Sequence, residues 1–95
     1  MFNLEDAAKA VTKIGVQISD ELFDLDDVLA GMDVELEHGT RYLDLNVTGD
    51  DPVLTAKIAL AHLREFPDYY QRLEHMENEA EAAWALKEDA NLGIV

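Results

Sequence analysis

The sequence predicts an all-α protein, a small bundle or irregular array of about four helices in a single domain spanning residues 1–95. In four segments, apolar residues recur every three or four positions, which is the period of a helix. Capping residues or a proline precede these segments, and there is no strand signal. Hydrophobic residues make up 48% of the 95-residue chain, enough for one core.

The first helix is predicted to begin after a cap at Asn3, with Asp6 at its third position, and to stop at Gly15. Its apolar residues have helical spacing: Leu4, Ala7, Ala8, Val11 and Ile14. We expect a turn-rich connection over residues 16–23 before the second helix begins.

The second helix is predicted to start at Asp24, with two more acids in its first turn, where the helix dipole favours negative charge. Its apolar stripe consists of Leu25, Val28, Leu29, Met32 and Leu36. Gly39 is expected to end this helix, because glycine is common just beyond the last helical turn. A long polar loop is expected over residues 40–51.

The third helix is predicted to begin at Asp51-Pro52, an acid at the cap followed by a proline in the first turn, and to run to about Glu65. It is the most apolar segment of the chain, so we expect it to be the central helix. Pro67 then interrupts the chain, and Asp68 suits the opening turn of a fourth helix.

The fourth helix has one narrow apolar stripe on an otherwise charged surface: Tyr69, Leu73, Met76, Ala80 and Trp84. We expect core packing for Tyr69, Met76 and Trp84. Tyr70 is offset by about 100° from its neighbour, so it could serve a partner surface or make a polar contact. Tyr70 is therefore one candidate interaction residue. Trp84 is the other, because the narrow stripe could serve assembly as well as folding.

The charge of the chain restricts its partners. Twenty-one acids oppose seven bases, giving a formal net charge of −14, which repels nucleic-acid phosphates and anionic membranes and attracts basic protein surfaces. The absence of cysteine excludes disulfides, thiolate zinc sites and cysteine nucleophiles. Because there is no signal-peptide pattern and no apolar run that could span a bilayer, we expect a cytoplasmic location.

Two helices each carry a histidine beside a carboxylate. Glu35 and His38 lie three residues apart on the second helix, and His62 and Glu65 lie three apart on the third, so each pair shares one helix face. Such pairs bind iron, zinc or manganese, and di-iron bundles of the ferritin type use a Glu-x-x-His pair from each of two helices. One of the two pairs here has the reversed order. These four residues form the candidate metal site.

Helical projection indicates where His62 points. Lys57 and Arg64 fall on one side of the third helix and His62 on the opposite side, so His62 faces the core if the two bases face water. Glu35 is then a suitable partner, although a core histidine bonded to a carboxylate is commoner than a metal ligand. His38 projects away from the apolar stripe of its helix, and the dipole at a helix C-terminus already explains it.

The sequence leaves open whether the two histidines form a joint site within one chain or between chains. If the second and third helices pair antiparallel, His38 lies near the start of the third helix and His62 about a turn or more away. A site that used both would then form only between subunits.

Asp44, Asn46, Thr48 and Gly49 match the opening of a calcium loop, but Thr55 replaces the required glutamate, so helix capping by the nearby acids is favoured.

Three strings read together carry a family resemblance: residues 35–40 (Glu-Leu-Glu-His-Gly-Thr), 46–51 (Asn-Val-Thr-Gly-Asp-Asp) and 57–73 from Lys57 to Leu73. Over about residues 14–77 the chain resembles a small, uncharacterised helical family met in bacteriophages and bacteria (domain of unknown function 5661). The resemblance implies a phage or bacterial cytoplasmic origin. It implies no catalytic residues, cofactor or partner.

We find no nucleophile motif, phosphate-binding glycine loop or basic patch, so the sequence favours a protein without catalytic activity. The leading hypothesis is a helical binding protein that associates with another protein or with itself. One alternative is a divalent-metal protein that uses Glu35, His38, His62 and Glu65. The second alternative is an acidic decoy of phage origin that mimics DNA and occupies a basic protein, suggested by the charge and by the phage origin that the resemblance implies.

Overall fold

A computed structural model describes the backbone of residues 1–93 and the side chains of residues 1–85, and it confirms the all-α fold. Four helices follow one another: α1 (Leu4–Ile14), α2 (Leu25–Arg41), α3 (Pro52–Glu65) and α4 (Tyr69–Gly93). Short 3-10 turns interrupt two connections, at Ile18–Asp20 and Leu43–Leu45. Residues 1–93 contain no strand, and none of the helices described is both long and apolar enough to span a membrane.

Local side-chain caps fix the starts of the first three helices. In α1, the Asn3 side chain accepts a hydrogen bond from the backbone N–H of Asp6, whose carboxylate accepts one from the backbone N–H of Asn3. Asp24 and Asp27 make the same reciprocal pair at the start of α2. The Asp51 carboxylate caps α3. Each such cap stabilises its helix by about 1 kcal/mol, which explains why the predicted starts are confirmed.

The predicted end of the second helix is wrong. The helix continues through Gly39 to Arg41, and Gly39 is buried within it. A Cβ atom at Gly39 would lie 2.7 Å from Oδ1 of Asn46, so the loop after α2 folds directly over this position. The glycine permits a close approach of the loop and does not terminate the helix.

The core lies between the first three helices and the first turn of α4. It contains Ala7, Ala10, Val11, Phe23, Val28, Met32, Ala56, Ala59, Leu60, Leu63 and Tyr70. As predicted, α3 is central, because it contacts each of the other three helices, and α2 does so as well. The one threonine of α3, Thr55, is fully buried, and its hydroxyl donates a hydrogen bond to the carbonyl of Asp51 at 2.6 Å.

Among the side chains of α4 that the structure describes, residues 69–85, those at the beginning of the helix pack on the body formed by α1–α3. Tyr70 is buried and Tyr69 and Leu73 are partly buried, whereas Met76 is 53% and Trp84 is 62% exposed. The core packing expected for Met76 and Trp84 is therefore wrong. A helix rises about 1.5 Å per residue. Because α4 has 25 residues and α3 has 14, α4 is the longer helix, and its later turns extend beyond the body.

Candidate functional site

A cluster of three polar side chains joins three helices: Glu35 from α2, His62 from α3 and Tyr70 from α4. The Tyr70 hydroxyl donates a hydrogen bond to Oε1 of Glu35 at 3.0 Å. Nδ1 of His62 lies 3.1 Å from the Tyr70 hydroxyl oxygen and 3.2 Å from Oε1 of Glu35. We call these residues the anchor cluster, because they connect the first turn of α4 to both central helices.

The structure confirms the predicted orientation of His62. The ring faces Glu35, while Lys57 and Arg64 are exposed on the other side of α3. The ring also stacks on Tyr69, with centroids 4.3 Å apart and planes 11° from parallel. The first turn of α4 therefore holds the imidazole by one stacking contact and one polar contact.

The hydrogen-bonding pattern constrains the proton on His62. Tyr70 has a single hydroxyl proton, and Glu35 accepts it, so the Tyr70 oxygen faces His62 as an acceptor. The carboxylate oxygen beside it is also an acceptor. A proton on Nδ1 of His62 can be donated to either of these two oxygen atoms. The Nδ1–H tautomer and the protonated ring both carry this proton.

Burial of Tyr70 raises the pKa of its phenol well above the usual value, and the negative charge and hydrogen bond of Glu35 raise this pKa further. Each effect disfavours the phenolate, because burial removes its hydration and the carboxylate repels it. The phenol therefore keeps its proton at physiological pH and remains the donor to Glu35.

The close approach of Tyr70 to α2 depends on Gly31. A Cβ atom at Gly31 would lie 2.8 Å from Cζ of Tyr70 and 3.0 Å from the Cβ of Ala59. Both distances are too short for an undisturbed side chain, so a glycine is required where α4 crosses α2. Our sequence reasoning assigned no role to Gly31. A glycine inside a helical pattern was the available signal.

His38 reaches the same carboxylate from its own helix. Its Nδ1 lies 3.7 Å from Oε2 of Glu35, and 47% of its side chain is exposed. The sequence left open whether His38 and His62 come together within one chain or between chains, and here both lie against Glu35 of the same chain. Glu35 lies between them, with Oε1 towards His62 and Oε2 towards His38, so both imidazoles contact one carboxylate within one chain.

Glu65, the fourth predicted metal ligand, lies elsewhere. It is exposed and lines a separate depression with Glu21 and Arg64, whose side chains form an ion pair at 2.7 Å. Within the part of the chain that the structure describes, no group of three or more His, Cys, Asp or Glu residues is placed to hold a metal ion. The binding of Fe, Zn or Mn stays a prediction.

The two candidate interaction residues have different surroundings. Tyr70 is only 7% exposed, so its predicted role on a partner surface is wrong. Its hydroxyl donates a hydrogen bond to Glu35, so the predicted polar contact is confirmed. Trp84 lies about four turns of α4 further along, where it is accessible to another molecule.

The loop that precedes α3 is organised by Asn46. Its Oδ1 accepts hydrogen bonds from the backbone N–H of Gly49 and the hydroxyl of Thr48, and its Nδ2 donates to the carboxylate of Asp50. Gly49 and Asp50 both have positive φ angles, 59° and 65°. Three of the four residues that resemble a calcium loop, Asn46, Thr48 and Gly49, thus bond to one another, and Asp51 caps the helix that follows.

Comparisons with known proteins agree with the sequence resemblance and add no activity. Residues 7–79 match the family model described as protein of unknown function (DUF5661). This match contains the entire anchor cluster and the first part of α4. No curated protein and no solved structure matches the chain.

Proposed function

This chain belongs to the DUF5661 family, and we propose that it is a non-enzymatic helical protein that binds another protein through the exposed part of α4. The observation that carries the proposal is the exposure of Met76 and Trp84 beyond the helical body. Large apolar side chains on one helix face are the usual anchors by which a helix binds a partner.

The anchor cluster supports this proposal because it fixes the direction of α4. Tyr70 is held by Glu35, and Tyr69 is held against His62, so the first turn of α4 is joined to both α2 and α3. A binding surface on a held helix loses less conformational freedom on association than a surface on a loose tail.

The charge around the exposed residues favours a basic partner. Described side chains of α4 include four glutamates, Glu74, Glu77, Glu79 and Glu81, whereas Arg72 is the one arginine or lysine among residues 69–85. Arg72 is already paired with Asp68, at 2.8 Å. A second copy, the self-association predicted from the sequence, would place two acidic surfaces together. A partner with basic residues around apolar anchors avoids that repulsion.

Isothermal titration calorimetry with a designed amphipathic helical peptide, leucine on one face and lysine on the other, tests the proposal. We expect saturable binding that weakens at least about tenfold in Met76→Ala/Trp84→Ala, because loss of buried anchors typically costs 1–2 kcal/mol or more each. Leu22→Ala is the matched control, since Leu22 is 88% exposed and lies in the connection between α1 and α2. Equal affinity for the wild type and the α4 double variant would contradict the proposal.

Sedimentation velocity over a range of concentrations separates a basic partner from a second copy. We expect the wild type to stay monomeric at concentrations where the peptide binds. A dimer that is lost in Met76→Ala/Trp84→Ala would assign this surface to a second copy and overturn the choice of a basic partner. The DNA-mimic hypothesis stays a prediction; it requires two rows of carboxylates near phosphate spacing.

A further inference from the structure

A second surface, formed by α2, α3 and the loop between them, combines apolar walls with one carboxylate. A cavity of about 320 Å³ lies between α2, the start of α3 and the loop that joins them. Its lining includes Glu35, His38, Tyr42, Leu45, Val47 and Ile58. This volume is near the lower end of the range for small binding sites, and it suits one long side chain.

The walls of the cavity are unusually apolar for an exposed loop. Tyr42, Leu45 and Val47 are 51%, 67% and 82% exposed, respectively, although they occur within six consecutive residues. Asn46 holds this loop in place through the three hydrogen bonds described above. The exposed apolar residues therefore belong to an ordered loop, and a partner would not have to fold it first.

Glu35 supplies the charge in the cavity. Its Oε1 accepts the hydrogen bond from Tyr70, but its Oε2 accepts none from any residue that the structure describes. The nearest donor, Nδ1 of His38, is 3.7 Å away, which is too long for a hydrogen bond. The Glu35 side chain is only 13% exposed, so a cation that reached this oxygen would be largely shielded from water.

We infer that this cavity binds a lysine or arginine side chain from a segment of a partner protein. The aliphatic stem packs against Leu45, Val47 and Ile58, while the charged end donates to Oε2 of Glu35. Residues 35–51 contain five acids and one arginine, so the surroundings also attract a basic segment. The inference concerns α2 and the loop, and it does not require the surface on α4.

The test uses the whole protein labelled with ¹⁵N and a blocked Leu-Lys-Leu peptide as the probe. We expect saturable shifts of backbone amide signals centred on Gly39, Val47 and Thr48. The same peptide with norleucine in place of lysine keeps the aliphatic stem and removes the charge, and we expect at least about tenfold weaker binding because a charge-assisted hydrogen bond is lost.

Two variants on α2 separate the cavity from the general acidity of the protein. Glu35→Gln removes the charge but leaves a carbonyl oxygen that can accept the hydrogen bond from Tyr70, and we expect at least about tenfold weaker peptide binding. Glu37→Gln removes the same charge from an exposed position outside this cavity, so we expect a change of less than about twofold. If Glu35→Gln proves unstable, Leu45→Ala tests the apolar wall of the cavity while keeping Glu35 intact. We expect this variant to bind the peptide more weakly as well.

Several results would overturn the inference. If the norleucine peptide bound as tightly as the lysine peptide, the cation would have no role in binding. If Glu35→Gln and Glu37→Gln weakened peptide binding equally, the attraction would come from the general acidity of the protein and not from the cavity. Butylammonium binding as tightly as the peptide would assign the cavity to a small amine instead of a protein segment. Repeating the titration in Trp84→Ala keeps the two proposals separate, since we expect the same affinity whether or not α4 binds a partner.

Discussion

Tyr70→Phe tests the anchor cluster most sharply, because it removes one oxygen atom and leaves the buried ring in place. The lost hydrogen bond to the Glu35 carboxylate is 3.0 Å long and partly buried. Hydrogen bonds to charged groups contribute about 1.5–3 kcal/mol. Nδ1 of His62 lies 3.2 Å from the same oxygen and can compensate in part, so we expect a loss of about 1.5–2 kcal/mol in the free energy of unfolding.

Urea denaturation followed by circular dichroism at about 222 nm measures this loss, because the signal reports on the helices directly. In thermal unfolding, the same loss corresponds to a decrease in Tm of about 6–16 °C for a domain of this size. Tyr69→Phe is the matched control: the Tyr69 hydroxyl makes no hydrogen bond to any residue described here, and we expect a change below about 0.5 kcal/mol. If Tyr70→Phe is as stable as Tyr69→Phe, the cluster does not anchor α4.

Three further predictions concern the same region. Gly31→Ala should lower the free energy of unfolding by about 1–3 kcal/mol, since its Cβ would meet the Tyr70 ring; helix propensity alone would raise it by about 1 kcal/mol, so a variant at least as stable as the wild type would refute the close-contact argument. Because the folded pKa of Tyr70 is raised, stability should be retained below the unfolded value of about pH 10 and fall above it, more steeply in the wild type than in Tyr70→Phe; parallel profiles would contradict this. The metal alternative predicts that calorimetry detects one equivalent of Zn²⁺ or Fe²⁺ that is lost in His62→Ala but kept in His75→Ala, a change at an exposed histidine on α4; binding that is unchanged in His62→Ala would contradict it.

Features governed by local chemistry could be predicted from the sequence. The starts of α1 and α3 depend on Asn3, Asp51 and their immediate neighbours, which form hydrogen bonds within one helical turn. The inward orientation of His62 was predictable because Lys57 and Arg64 identify the outer face of α3. In these cases the relevant information lies within a few residues.

Features that depend on another element could not be predicted in this way. Gly39 looked like a helix stop, but its role depends on Asn46, which the loop brings back over the helix. The apolar stripe shows which face of α4 is apolar, but it does not show whether other helices cover that face. The prediction that Met76 and Trp84 pack in the core is wrong for this reason. The position of Tyr70 likewise depends on where α4 crosses α2, and the helical periodicity of the sequence gives no information about that crossing point.

The fluorescence of Trp84, the single tryptophan, gives the most direct test of the proposal that α4 binds a basic partner. In the free protein the Trp84 side chain is 62% exposed, so a partner that covers it should shift its emission to shorter wavelength. On titration with the leucine–lysine peptide, we expect a saturable blue shift that is smaller at high salt and weaker in Met76→Ala. An emission spectrum that does not change while the peptide binds would show that binding occurs elsewhere and would contradict the proposal.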